Sequence, residues 1–176
     1  YWIVDDWLIF KPEFNEKLDE YYDIINKYEK IMFSNYDEPL IAIENNNCYN
    51  YEYRDNYVFN IFNNEIDLSN NINLTHLTFG KYFNNNINLL NNNKLQNLIF
   101  SQIFNKELNL SNNINLLNLE LGFYFKQKLD LTKNIKLKRI SMNSKTIPIS
   151  FSYNIALEIL KFREIDVEID LSNNIN

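Results

Sequence analysis

Any chemistry in this chain of 176 residues would have to start from very few groups, since it holds one histidine, His76, and one cysteine, Cys48. A hydrolytic triad would need His76 as its base, beside a hydroxyl nucleophile and an orienting carboxylate. His76 stands between Leu74 and Leu77, where the apolar spacing predicts a strand with His76 on its outward side. It reads as a surface histidine, because a triad also needs an oriented base and an oxyanion hole. Zinc sites of the usual ligand spacing are absent, as there is no C-x-x-C. Two glycines, Gly80 and Gly122, are too few for a phosphate-cradling loop of either common type. Asp5 and Asp6, beside Trp2 and Trp7, read as solvated surface. Asn73-Leu-Thr75 is a formal glycosylation sequon, but it lies inside a repeating core pattern. No catalytic, cofactor-binding or metal site is expected, and the chain is not expected to be an enzyme.

The elements that carry these residues follow from composition and period. Hydrophobic residues make up 45% of the chain and aromatic ones 15%, which excludes global disorder. A lone cysteine excludes a disulfide-stapled scaffold. No apolar run reaches the roughly 18–20 residues of a membrane helix. Residues 1–56 hold 13 Asp and Glu against 5 Lys and Arg, a balance of −8; residues 57–176 hold 10 against 12, a balance of +2. Neither part is a basic patch, so nucleic-acid binding is disfavoured. Asparagine is the outlier, with 34 copies.

A repeat accounts for the asparagine and determines the fold class. Units begin at Phe62, Phe83, Phe104, Phe125, Lys145 and Ile165, spaced 21, 21, 21, 20 and 20 residues apart. Within each unit the apolar positions recur, as in Leu74-x-x-Leu77-x-Phe79 and Leu95-x-x-Leu98-x-Phe100. Ten residues after the start comes another apolar position, isoleucine in five of six copies, with Asn93 the exception. A period near 20 with L-x-x-L-x-[FL] inside it is the signature of a leucine-rich-repeat-like solenoid. Each short strand cannot bury its apolar face alone, so coils stack at about 4.8 Å and share one core. The expected architecture is a right-handed solenoid of about eight coils, with short parallel strands on one side and turns and a few short helices on the other. Phe62, Phe83, Phe104 and Phe125 are expected to stack as a column, with Phe14 in the same slot of the first coil.

Nine residues into every unit stands an asparagine: Asn71, Asn92, Asn113, Asn134, Asn154 and Asn174. An amide carries both donor and acceptor, so a buried structural ladder is expected. A second position, one residue after the start, is Asn63, Asn84 and Asn105, then Lys126, Thr146 and Asp166.

Residues 1–61 read as divergent coils of the same solenoid, and 62–176 as its regular part. Leu8-Ile-Phe10 and Ile31-Met-Phe33 match the strand pattern, which puts starts at Phe14 and near Tyr36. Leu18, Tyr22, Ile25, Tyr28 and Met32 fall at helical spacing, predicting an inserted helix near 17–30.

The string Leu74-Thr-His-Leu-Thr-Phe-Gly-Lys-Tyr-Phe-Asn84 resembles the FNIP repeat, a leucine-rich-like repeat found in proteins of giant DNA viruses of amoebae and of slime moulds. The proline of that motif is absent from the regular copies; Tyr36-Asp-Glu-Pro39 comes nearest. The resemblance implies protein–protein recognition without catalytic residues. It also implies two narrower roles, a structural component of a giant-virus particle and the substrate-recognition part of an F-box ubiquitin-ligase adaptor. The implied location is the host cytoplasm or the virion.

The face expected to bind is the outward side of the strands: His76 and Thr78, Asn97 and Ile99, Asn118 and Glu120, Arg139 and Ser141, Ile159 and Lys161. Its expected partner is a protein, with neither nucleic acid nor membrane involved. The unit that starts at Ile165 stops before its strand, so further coils or a neighbouring subunit are expected to cover that end. Residues 1–176 expressed alone should then aggregate or fray in the final coil, and extending the chain should relieve this. Light scattering checks it; a monodisperse monomer with an ordered last coil would defeat the expectation.

Overall fold

The structure, a computed structural model, describes residues 2–4, 7–10, 22–33, 63, 65–100, 102–142, 149–162, 169–171 and 174. Its strands are short, as the pattern requires. They are β1 (Trp2–Val4), β2 (Trp7–Phe10), β3 (Lys30–Phe33), β4 (His76–Phe79), β5 (Asn97–Phe100), β6 (Asn118–Glu120), β7 (Arg139–Met142), β8 (Ile149–Ser150), β9 (Ile159–Phe162) and β10 (Ile169–Asp170). Eight of them form one sheet in the order β1-β2-β3-β4-β5-β6-β7-β9. From β2 to β9 every pairing is parallel. One strand per coil, paired with the coils before and after, makes the molecule a parallel solenoid.

Register follows the repeat. Leu8, Ile31, Leu77, Leu98, Leu119, Ile140 and Leu160 lie side by side across the seven parallel strands. A one-residue slip would turn this whole row outward, so burial of the leucines fixes the pairing. Leu8, Ile31, Leu77, Leu98 and Leu119 are fully enclosed. β2 and β3 thus join the same sheet as the regular coils.

Three features differ from the sequence expectation. β3 pairs directly with β4, so the start near Tyr36 adds no strand between them. The stretch 34–61 holds no copy of L-x-x-L-x-F. The helix expected near 17–30 is, among the described residues, one turn, α1 (Tyr22–Ile25). Met32, counted in the helical pattern, instead lies in β3, where strand pairing on both sides outweighs local spacing. Finally, β1 runs antiparallel to β2, with Trp2 opposite Ile9 and Val4 opposite Trp7, while the Asp5-Asp6 pair lies outside the described residues. The first parallel strand therefore has a hydrogen-bonded neighbour on its outer side.

The asparagine ladder is present and buried. Asn71, Asn92, Asn113, Asn134 and Asn154 are fully enclosed. Each Nδ2 donates to two carbonyls of the preceding coil. Asn92 reaches Leu68 O at 3.0 Å and Asn71 O at 2.7 Å; Asn113 reaches Leu89 O at 3.0 Å and Asn92 O at 2.9 Å. Asn134 and Asn154 repeat the pattern at 2.9–3.1 Å. Asn174 reaches Asn154 O at 2.6 Å. At the other end Asn71 donates to Ile25 O at 2.7 Å and Tyr28 O at 3.0 Å. Ile25 precedes β3 by five residues, as Asn71 precedes β4, so an enclosed isoleucine starts the column and needs no donor of its own. The ladder Oδ1 atoms are enclosed without a hydrogen-bond partner, which leaves Nδ2 as the bonding atom.

The second asparagine position runs the opposite way. Asn63 Oδ1 accepts from Asn84 N at 2.7 Å, Asn84 Oδ1 from Asn105 N at 2.9 Å, and Asn105 Oδ1 from Lys126 N at 2.8 Å. A third column closes turns inside each coil: the side-chain oxygens of Asp67, Asn88, Asn109 and Asp130 accept from the N–H two residues on, at 2.8–3.1 Å.

Aromatic rings fill the core beside the ladder. Phe83, Phe104 and Phe125 stack with centroids 6.0 Å apart. Strand residues Phe79 and Phe100 interleave with them, at 3.9 Å from Phe83 and 3.8 Å from Phe104 respectively. Phe62 and Phe14, expected in the same column, lie outside the described residues. In the later coils Leu121, just past β6, and the β7 residue Met142 take the place of Phe79 and Phe100, and Phe151 packs against Phe162 at 6.4 Å. There the repeat shortens to 20 residues, and β8 and β10 form a small second parallel sheet with Ile169 beside Ile149.

The ladder generates a direct test. Asn113→Leu removes one of the two hydrogen bonds that each of the Leu89 and Asn92 carbonyls accepts in the core, and should cost about 1–3 kcal/mol. Chemical denaturation measures it; an unchanged midpoint would mean that the ladder contributes nothing to stability.

Candidate interaction face

The outward strand positions form two rows. In the first, Lys30, His76, Asn97, Asn118, Arg139 and Ile159 follow one another in register. In the second, Thr78, Ile99, Glu120, Ser141 and Lys161 do the same. Neighbouring members sit one strand spacing apart, about 4.8 Å. Of the ten residues expected on this face, nine are partly or fully accessible. Thr78 is the correction: it is only 6% exposed and cannot meet a partner. It lies between Met32 and Ile99 in the register.

Hydrogen bonds fix several of these side chains. The Thr75 hydroxyl donates to Glu29 O at 3.1 Å, so at 2.9 Å it accepts from the His76 Nδ1–H. That pairing anchors the imidazole at the side of the sheet. Asn118 Nδ2 donates to Asn97 Oδ1, one coil to the next. At the margin Lys138 meets Glu158 at 2.8 Å, and that bond together with the lysine's charge holds the Glu158 carboxyl below its ordinary range. Both partners are half exposed, so the pair contributes little to stability.

Glu120 is the unusual member. Its carboxylate is largely enclosed, Oε2 has no hydrogen-bond partner, and loss of solvent raises its pKa above the ordinary value of 4.5. The charge of Lys161, two strands along the same row, offsets part of that rise. Asp67 and Asp130 shift the other way: the turn N–H and hydroxyl of Ser69 and Thr132 hold their carboxyls below the usual value of 3.8.

A second surface went unrecognised in the sequence, where the isoleucine ten residues into each unit reads as one more core position. The structure turns these side chains outward: Ile72 is 58% exposed, Ile114 49%, Ile135 52% and Ile155 58%. The reason is local. The ladder asparagine before them and the leucine two residues after them both point inward, and the turn between leaves the isoleucine on its outer side. The enclosed asparagine next to it was the available signal.

Among the described residues no group of three or more His, Cys, Asp or Glu could hold a metal ion, and no helix is long and apolar enough to cross a membrane. No protein-family model matches the sequence, and none of the curated proteins matches it. Among solved structures, the functional domain of InlJ from Listeria monocytogenes is similar, with a TM-score of 0.51 and 22% identity over 63% of this chain. The fold is that of a leucine-rich-repeat solenoid. The matched region spans 25% of the InlJ chain. The InlJ domain includes a cysteine ladder, whereas the buried ladder of this solenoid is built from asparagine.

Glu120 generates a pH prediction. Its folded pKa lies above the unfolded one, so the folded state holds the proton more tightly. Stability from this group is full at low pH and falls as pH rises through the folded pKa. Glu120→Gln should therefore raise the melting temperature at pH 7, with the gain vanishing toward pH 4. A variant no more stable than the parent at pH 7 would contradict it.

Proposed function

We propose that this solenoid is a non-catalytic protein-interaction module that binds its partner across the outward face of β4 to β9. One observation carries the reading: backbone pairing holds two rows of polar and charged side chains at fixed spacing, from His76 and Asn97 to Arg139 and Lys161. A rigid array loses little side-chain freedom on binding, which favours recognition. The similarity of Leu74–Asn84 to the FNIP repeat supports the same reading, because that repeat implies protein–protein recognition.

The test is affinity capture with the tagged full-length protein, compared with an Arg139→Glu, Lys161→Glu variant changed at two exposed positions. Partners found by mass spectrometry should be lost from the variant while its melting temperature stays near the parent's. A partner set indifferent to both changes would overturn the reading. Particle proteins in the captured set would favour the viral structural role, and ubiquitin-ligase subunits the adaptor role.

A further inference from the structure

Glu120 stands in the middle of the strand face with its charge unanswered. In its row Ile99 lies on one side and Ser141 on the other. Its Oε2 is enclosed and has no hydrogen-bond partner. Oε1 stays open to solvent, and it too makes no hydrogen bond within the chain. Ile99 has no side-chain donor to offer, and the Asn118 amide donates to Asn97 instead. Lys161 acts on Glu120 from two strands along the row, about 9–10 Å away, which is too far for a hydrogen bond.

A carboxylate short of both solvent and donors costs stability in the free chain. The ladder Oδ1 atoms also lack partners, but those side chains are neutral and bond through Nδ2. Glu120 is charged and makes no bond at all. Nor does the repeat ask for a carboxylate here. The equivalent strand positions are Thr78, Ile99, Ser141 and Lys161, and their coils pair in the same register without one.

We infer that Glu120 is the specificity-determining residue of the interaction face and receives a lysine of the partner protein. This rests on the reading of that face as the binding surface. A partner cation would supply the missing donor and cover the carboxylate in one contact. Oε1 is the open oxygen, so the site offers one acceptor. An arginine fork wants two side by side, whereas a lysine ammonium is a compact point charge on an apolar stem that can lie along Ile99. The exposed cations beside it, Arg139 and Lys161, call for acidic groups. The matching partner surface therefore carries a lysine next to acids, and a uniformly acidic one would set like charge against Glu120.

Selection of displayed random peptides on the tagged full-length protein tests this. The Arg139→Glu, Lys161→Glu variant serves as counter-selection and leaves only peptides bound to the strand face. These should share a lysine at one fixed position with an acidic residue nearby. Calorimetry on a synthetic copy then reads the contact. Replacing that lysine by norleucine should weaken binding to the parent about tenfold or more, and so should Glu120→Gln with the original peptide. Both changes together should cost no more than either alone, because they remove one shared contact. Arginine in place of the lysine should also bind more weakly. Glu120→Gln is expected to raise the melting temperature at pH 7, so its lost affinity would not reflect unfolding. Face-bound peptides without a fixed lysine, or two changes whose effects simply add, would overturn the inference and leave the interaction face standing. Peptides that bind the counter-selection variant as well as the parent would overturn the reading of the face, and the inference with it.

Discussion

The structure depends on how the enclosed turn carbonyls of one coil are bonded to the next. A solenoid coil must bend several times, and each bend turns peptide groups away from the strand ladder. Enclosed without a donor, each such group would cost about 1–3 kcal/mol. The asparagine nine residues into each unit supplies donors across coils with one side chain. Its Nδ2 carries two N–H bonds, and the preceding coil presents two carbonyls, as at Leu89 and Asn92 beneath Asn113. The N–H groups of Asn92 and Leu95 already bond these two carbonyls within their coil, and Asn113 supplies the second bond to each from the next coil. A serine, with one donor, could supply only one of them. The demand recurs with every coil, and so does the residue.

The other recurring side chains are arranged around that constraint. Phenylalanines stack beside the ladder because each coil sets its ring one step above the last, and Phe79 and Phe100 from the strands fill the space between. When the equivalent position becomes Leu121 and then Met142, the ring column is no longer doubled. The coils then shorten, and a second small sheet forms where β8 and β10 align. Core volume and coil length change together, as expected for an interior packed without voids.

Two outer surfaces result, and they differ in character. The strand face carries mixed polar and charged side chains held in rows, with Glu120 kept short of solvent at its centre. The turn surface carries isoleucines flanked by asparagine and lysine. Neither needs the other to fold. Core leucines and the ladder set the backbone, and the residues between them are left to vary for contact.

The sequence by itself determined the repeat, its period, the ladder positions and the strands that carry His76 to Lys161. These were legible because a periodic demand on burial writes a periodic pattern. β2 and β3 were legible for the same reason, through Leu8-Ile-Phe10 and Ile31-Met-Phe33. Tertiary structure alone decided the rest. Helical spacing from Leu18 to Met32 is a local signal, and pairing of β3 with two neighbours overrode it. The β1–β2 hairpin occurs once, so no repeat announced it. Thr78 lost its place on the accessible face to its neighbours in the sheet, and the isoleucines lost theirs in the core to the turn beside them. In each case the deciding quantity was which side of a turn or sheet was already occupied, and that depends on residues a coil away.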